Sequence, residues 1–195
     1  LLTHPSLPVK SVQGLIALAK AKPAQITVAS AGNGSGAHLA LELMKSMALV
    51  DMAHIPYKGA GPALPDMIAG HVQAGFTTWL SCSTHVKTGR LRALGVTTLK
   101  RSPAIPDLPA LAETLPGYDS PVWYGVVVPV ATPPEIVTKL NQEILRALNT
   151  PEFRERLVAD AIEPLGTTPE QFGDFIKSEL AKWSKVVKEA RVKVD

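Results

Sequence analysis

The seven residues Ser30-Ala31-Gly32-Asn33-Gly34-Ser35-Gly36 are the part of this sequence best suited to chemistry. A glycine-rich turn leading from a strand into a helix points backbone N–H groups at a common spot beside the positive end of the helix dipole. Such a spot suits a carboxylate, sulfate or phosphate. Ser30, Asn33 and Ser35 add polar side chains to it. A tight turn that uses glycine only for backbone geometry would read the same way. Three glycines within residues 32–36 favour a ligand. A second loop, Tyr57-Lys58-Gly59, follows the next apolar run and would lie at the same edge of a parallel sheet, offering a charge and an amphipathic wall. Thr77 and Thr78, after a third run, would add hydroxyls there.

Other chemistries fit less well. Gly32-x-Gly34-x-x-Ala37 meets the permissive dinucleotide fingerprint, so a nucleotide- or phosphate-binding α/β enzyme using residues 32–36 is the alternative. That fingerprint wants an acidic residue at the far end of the second strand, where this chain has Tyr57 and Lys58. A P-loop lacks its Gly-Lys-Ser/Thr, and His38 stands near the place of the lysine. No G-x-S-x-G, HExxH or other metal spacing occurs, and Cys82 has His85 one helical turn away without an evident third partner. His38 and His54, each flanked by apolar residues, read as satisfied structural histidines, and Cys82 as a small buried residue. No catalytic set or cofactor is expected.

The elements that would position these loops alternate. Residues 11–21 read as an amphipathic helix, 26–28 as a strand, and 37–47 as a helix striped by Leu39, Leu43 and Met47. Residues 52–56 read as a strand, and Pro62 as the opening of a helix that ends near Gly70. A strand at 72–76, a helix at 81–88 and a strand at 91–96 complete a mostly parallel α/β sheet. Between Arg101 and Pro121 the prolines at 103, 106, 109, 116 and 121 suggest a crossover between lobes. Residues 124–128 read as one more strand, either added to the first sheet or belonging to a lobe whose other strands lie outside the chain. Thr132-Pro133-Pro134-Glu135 reads as a capping box before a helix striped by Ile136, Leu140, Ile144 and Leu148. Thr150 starts a short helix, and Thr168-Pro169-Glu170-Gln171 caps a long one with Phe172, Ile176, Leu180, Trp183 and Val187 on one face.

The bulk composition agrees with a globular α/β protein. The 195 residues are 46% hydrophobic and 19% charged, which excludes a disordered or coiled-coil chain. The excess of 20 Lys and Arg over 17 Asp and Glu is scattered, with no basic stripe beside aromatics, so nucleic acid is set aside. The longest uncharged runs, 23–41 and 67–86, are broken by polar residues and do not read as membrane spans. The chain opens Leu1-Leu2-Thr3-His4-Pro5, which reads as a processed or trimmed start.

Several motifs, in order, resemble the extracytoplasmic solute receptors of tripartite tricarboxylate transporters, the Bug proteins. They are Pro5-Ser6-Leu7-Pro8, residues 30–35 through His38-Leu39, His54-Ile55-Pro56-Tyr57-Lys58-Gly59, Gly89-Arg90-Leu91-Arg92-Ala93-Leu94, Arg101-Ser102-Pro103, Trp123-Tyr124-Gly125 through Pro129, Thr132-Pro133 and the Trp183 helix. The resemblance implies a periplasmic-binding-protein type II-like fold, a periplasmic location, a small carboxylate as ligand, membrane transporter subunits as partners, and no enzymatic activity. Residues 1–122 would be the ligand-binding second lobe, and 123–195 the returning C-terminal part of the first. The binding set would be Ser30, Ala31, Gly32, Asn33, Gly34 and Ser35, with Tyr57, Lys58, Gly59 and Thr77. The family pattern also has a leader and a strand with a Pro- and Gly-rich loop upstream, so the chain reads as a receptor without its N-terminal part, open to self-association through the helices after Thr132. Where the family often has Phe-Asp-Asn, this chain has Phe76-Thr77-Thr78, which favours a plain carboxylate over an amino acid.

Overall fold

A computed structural model describes residues 1–193. The chain begins with a two-residue strand, β1 (Leu2–Thr3), and then α1 (Val12–Ala21), whose cap Ser11 accepts the Gly14 N–H on its Oγ at 3.0 Å. Next come β2 (Thr27–Ser30), α2 (Gly36–Ala48), β3 (Ala53–Pro56), α3 (Ala60–Ala69), β4 (Ala74–Gly75), α4 (Trp79–Lys87) and β5 (Arg92–Ala93). The expected alternation of strand and helix is present. α3 starts two residues before Pro62, at Ala60, after the cap residue Gly59, whose φ of +104° turns the chain into the helix.

The sheet order is β3-β2-β4-β1-β5. β2 pairs in parallel with β3 and β4, whereas β1 runs antiparallel to both β4 and β5. Four strands therefore run one way and β1 opposes them. β1 is absent from the sequence reading because two residues carry no periodicity. Leu2 becomes a strand residue only because Gly75 and Ala93 flank it on either side.

Successive strand residues face opposite sides of a sheet. Val28 accordingly packs with Leu15 and Ala19 of α1 and with Leu41 and Met44 of α2, whereas its neighbour Ala29 packs with Ala63 of α3. Met67 of α3 and Cys82 of α4 join Leu2 and Leu91. Helices thus cover both faces, as a doubly wound sheet requires. Cys82 is buried and free, and burial pushes its thiol pKa up.

The proline-rich stretch 101–121 does not cross between units, which corrects the expectation. Val96 bridges to Ala110, a 3-10 turn follows at Leu111–Glu113, and Leu111, Leu115 and Tyr118 enter the main core. Burial of those three apolar side chains outweighs the loop character of the prolines. Arg101 braces the stretch by donating from Nε and Nη2 to the two Glu113 carboxylate oxygens at 2.7 and 2.8 Å. That pairing, with the Ala110 N–H, holds the Glu113 carboxyl down to about 2.

Packing divides the chain into Leu1–Val122 together with the residues from Lys185 on, and Trp123–Ser184. The second unit contains α5 (Pro134–Leu148), α6 (Pro151–Ala159) and most of α7 (Pro169–Glu189). Residues 124–128 are not a strand: Tyr124, Val126 and Val127 are exposed and take no part in a ladder among the described residues. β propensity alone makes no strand without an edge to pair with. The expected box at Thr132 is also missing. Pro133 occupies the cap position of α5, and no side chain caps it. Thr168 and Gln171 do form their reciprocal box at the start of α7, at 3.0 and 3.2 Å. Within this unit Trp123 meets Phe172 and Phe175 edge-on, with centroids 5.8 and 5.2 Å away. The indoles of Trp123 and Trp183 both donate to Glu179 Oε2, at 3.3 and 3.0 Å. Burial opposes ionisation of Glu179, but Lys182 and the indoles outweigh it and hold its carboxyl below the usual range.

Candidate functional site

Three strand-to-helix connections lie at the C-terminal edge of the parallel strands: β2 to α2, β3 to α3 and β4 to α4. The first two are joined by hydrogen bonds that continue the β2–β3 ladder past its end. Tyr57 N–H donates to the Ser30 carbonyl at 3.1 Å, and Gly59 N–H to the Ala31 carbonyl at 3.0 Å. Gly32 has φ +128° and Gly34 φ +72°, backbone conformations in which a side chain is strained. Ser35 is the cap of α2, and its Oγ accepts the His38 N–H at 3.3 Å. Replacing Ser35 with alanine is expected to lower stability by about 1 kcal/mol, measured as an earlier urea midpoint, because a first-turn donor loses its acceptor.

Both histidines are hydrogen-bonded, and their partners are in the glycine loop. His38 Nδ1 accepts the Gly34 N–H at 3.1 Å. His54 Nε2 lies 2.6 Å from Ser30 Oγ, which also accepts the Gly32 N–H at 3.1 Å. The two imidazoles are stacked with centroids 3.8 Å apart and planes 8° from parallel. Burial, then His38 and Lys45, bring the His54 pKa down to about 4. Burial also lowers that of His38, with Glu42 opposing and Lys45 assisting. Sequence reasoning missed this arrangement. The available signals were His38 four residues after Gly34, and a parallel register that sets His54 beside Val28, two residues before Ser30.

The expected binding residues divide into those that line a cavity and those that shape it. Ser30, Ala31 and Thr77 line a narrow cleft with Ala60, Ala63 and Phe76, whose free volume of about 20 Å³ holds roughly one water-sized group. The Ser30 hydroxyl sits between Gly32 and His54, and the N–H groups of Gly34, Tyr57 and Gly59 are engaged as described. The Tyr57 phenol donates to Asp66 Oδ2 at 2.7 Å, and burial together with that carboxylate pushes its pKa up to about 12. Asn33 lies between the two positive-φ glycines, and Lys58 is exposed. At the edge remain the first-turn N–H groups of α2 and α3, apart from His38, which Ser35 caps, and Pro62, which has none; helix geometry leaves them without an intrahelical acceptor. Among the described residues no three His, Cys, Asp or Glu side chains gather as a metal site, and no helix is long and apolar enough to cross a membrane.

The family described as "Tripartite tricarboxylate transporter family receptor" matches residues 1–192. The chain belongs to this receptor family. A relative from Pseudomonas sp. (strain P51), the UPF0065 protein in the tcbD-tcbE intergenic region, is 37% identical over 185 residues, covering 94% of this chain and 55% of its own. Protein BugT of Bordetella pertussis is 35% identical over 195 residues, covering 100% of this receptor chain and 60% of itself. The chain thus spans little more than half the length of these two relatives. Among solved structures, R. palustris Rpa4515 with adipate matches with a TM-score of 0.90 and 36% identity, over 98% of this chain and 65% of that one. MatC from Rhodopseudomonas palustris with bound malate matches at 0.80 and 29%, over 95% and 65%. The fold is that of these tricarboxylate-type solute-binding receptors.

Proposed function

We propose that this chain supplies the carboxylate-binding second lobe, and part of the first lobe, of a periplasmic receptor that captures a small carboxylate for the membrane subunits of a tripartite transporter. The observation that carries this reading is the joining of two helix N-termini at one sheet edge, α2 at Ser35 and α3 at Gly59, by the bonds from Tyr57 and Gly59 to Ser30 and Ala31. Two positive dipole ends side by side favour an anion. Gly32, Asn33, Gly34 and Ser35 shape the receiving loop for one carboxylate, Ser30, Ala31 and Thr77 form its floor, and Lys58 and Gly59 form the opposite rim with Tyr57. The adipate and malate in the similar structures support a dicarboxylate of that size. Thr77 stands in the turn after β4 where an acid would meet a ligand ammonium, so amino acids should bind less well. Binding without turnover is the role in this reading, and the nucleotide alternative gains nothing from the parallel β2–β3 pair, whose far end still carries Tyr57 and Lys58 in place of an acid.

Calorimetric titration of the protein with adipate, malate, glutamate and ATP–Mg²⁺ tests this reading. Saturable binding of a dicarboxylate, with glutamate weaker and ATP silent, is the expected result. Binding of ATP alone, or of none of the acids, would overturn it.

A further inference from the structure

We propose that His38 and His54 are positioning residues that hold the glycine loop in its anion-receiving form, and that protonation of His38 releases it, so that ligand held at neutral pH is given up in acid. The ligand arm of this proposal rests on the carboxylate reading above; the latch does not.

The geometry specifies the protonation state. Because His38 Nδ1 accepts from Gly34 N–H at 3.1 Å, that nitrogen carries no proton and the ring is the neutral Nε2–H tautomer. A proton added at Nδ1 would face the Gly34 N–H, donor against donor, and the bond by which the His38 ring holds Gly34 would be lost. His54 acts from the other side. Its Nε2 at 2.6 Å fixes the Ser30 hydroxyl, which holds Gly32 N–H at 3.1 Å, so the two rings tie down Gly34 and Gly32 respectively. Stacking at 3.8 Å makes the pair a single unit, in which a second charge would sit against the first.

The charged and titratable groups facing the pair come from α2. Glu42 Oε1 lies 3.8 Å from His38 Nε2, and Lys45 pairs with Glu42 at 2.9 Å. β2 contributes only Ser30. Glu42 would welcome an imidazolium, but Lys45 already occupies that carboxylate. Both folded-state pKa values lie below the ordinary 6.5. The His38 bond to Gly34 is therefore complete above about 6.5 and is lost as pH falls from there through the folded His38 value, whereas His54 stays neutral down to about 4.

The test has two arms. In the first, the Gly34 amide and the His38 ring nitrogens are followed by ¹⁵N NMR in the unliganded protein from pH 8 to pH 4. The amide is expected to titrate with His38, and a Gly34 amide indifferent to His38 protonation would overturn the proposal. In the second, adipate affinity is compared at pH 7.5 and 5.5 in the native protein and in His38→Asn, whose side-chain oxygen can stand in for Nδ1 without titrating. Adipate's own protonation affects both proteins alike. The native protein should lose more affinity than the variant, by up to about tenfold, the limit for a group that titrates no higher than 6.5. Superimposed profiles, or tighter native binding in acid as simple attraction to an imidazolium would produce, would also overturn it. If neither protein binds adipate at pH 7.5, malate takes its place; if neither acid binds, the carboxylate reading has failed, and the amide titration, which needs no variant, still decides the latch.

Discussion

Tyr118→Ala should lower stability by about 4 kcal/mol, with urea unfolding of native protein, Tyr118→Ala and Tyr118→Phe as the measurement. Tyr118 is fully buried in the main core among residues from α1, α2, β2 and β4, and its hydroxyl donates to the Ala40 carbonyl of α2 at 2.8 Å. Removing the ring leaves a cavity beside Leu41 and Met44 that a sheet with helices on both faces has little freedom to close. Burial raises the phenol's pKa, so it remains a protonated donor at ordinary pH. Tyr118→Phe keeps the ring and leaves the Ala40 oxygen with only its helical donor, for a loss of about 1 kcal/mol. Equal losses in the two variants would mean that the hydrogen bond, and not the packing, holds residues 101–121 against the core.

Gly32→Val should abolish dicarboxylate capture, with about 100-fold weaker binding by titration, corresponding to about 2.7 kcal/mol and within the strain expected of a β-branched residue at a glycine-only conformation. Gly32 has φ +128°, and a Cβ there would lie 3.1 Å from the Tyr57 carbonyl, a backbone atom of the adjoining loop. The side chain has to push the β2–α2 and β3–α3 loops apart, and the bonds from Tyr57 and Gly59 separate with them. Gly36→Ala is the control. Nothing lies within 4 Å of its Cβ and its φ is not positive, so stability should stay within about 0.5 kcal/mol of native. If both substitutions weaken binding alike, the loop reads its ligand by openness alone, and the joining of the two helix ends has no part in it.

Local chemistry alone made much of this architecture legible. Ser11, Thr168 with Gln171, and the glycines closing α3 and α4 act within a turn of their own position, so the helices fall where the sequence places them, within about two residues. The strand–glycine–helix order is local too, and it is enough to put residues 30–36 and 57–59 at one edge of a parallel sheet. Residues 124–128 have the same apolar, β-branched composition as a buried strand and form none, because a strand exists only with a partner edge, which composition does not encode. Leu2–Thr3 is the converse, two residues without pattern made central by edges 70 and 90 positions away.

The same division runs through the site. By itself the sequence determined that a glycine loop enters α2 and that Tyr57 and Lys58, with no acid, end β3, since both follow from residue type and order. Only the tertiary structure decided that His38 and His54 stack beneath that loop, that the Tyr57 phenol turns to Asp66, and that Ser30 braces Gly32. The stacking, and the His54 contact that fixes the Ser30 hydroxyl, depend on the β2–β3 register, and register is set by the packing of a whole sheet and not by any neighbouring residue.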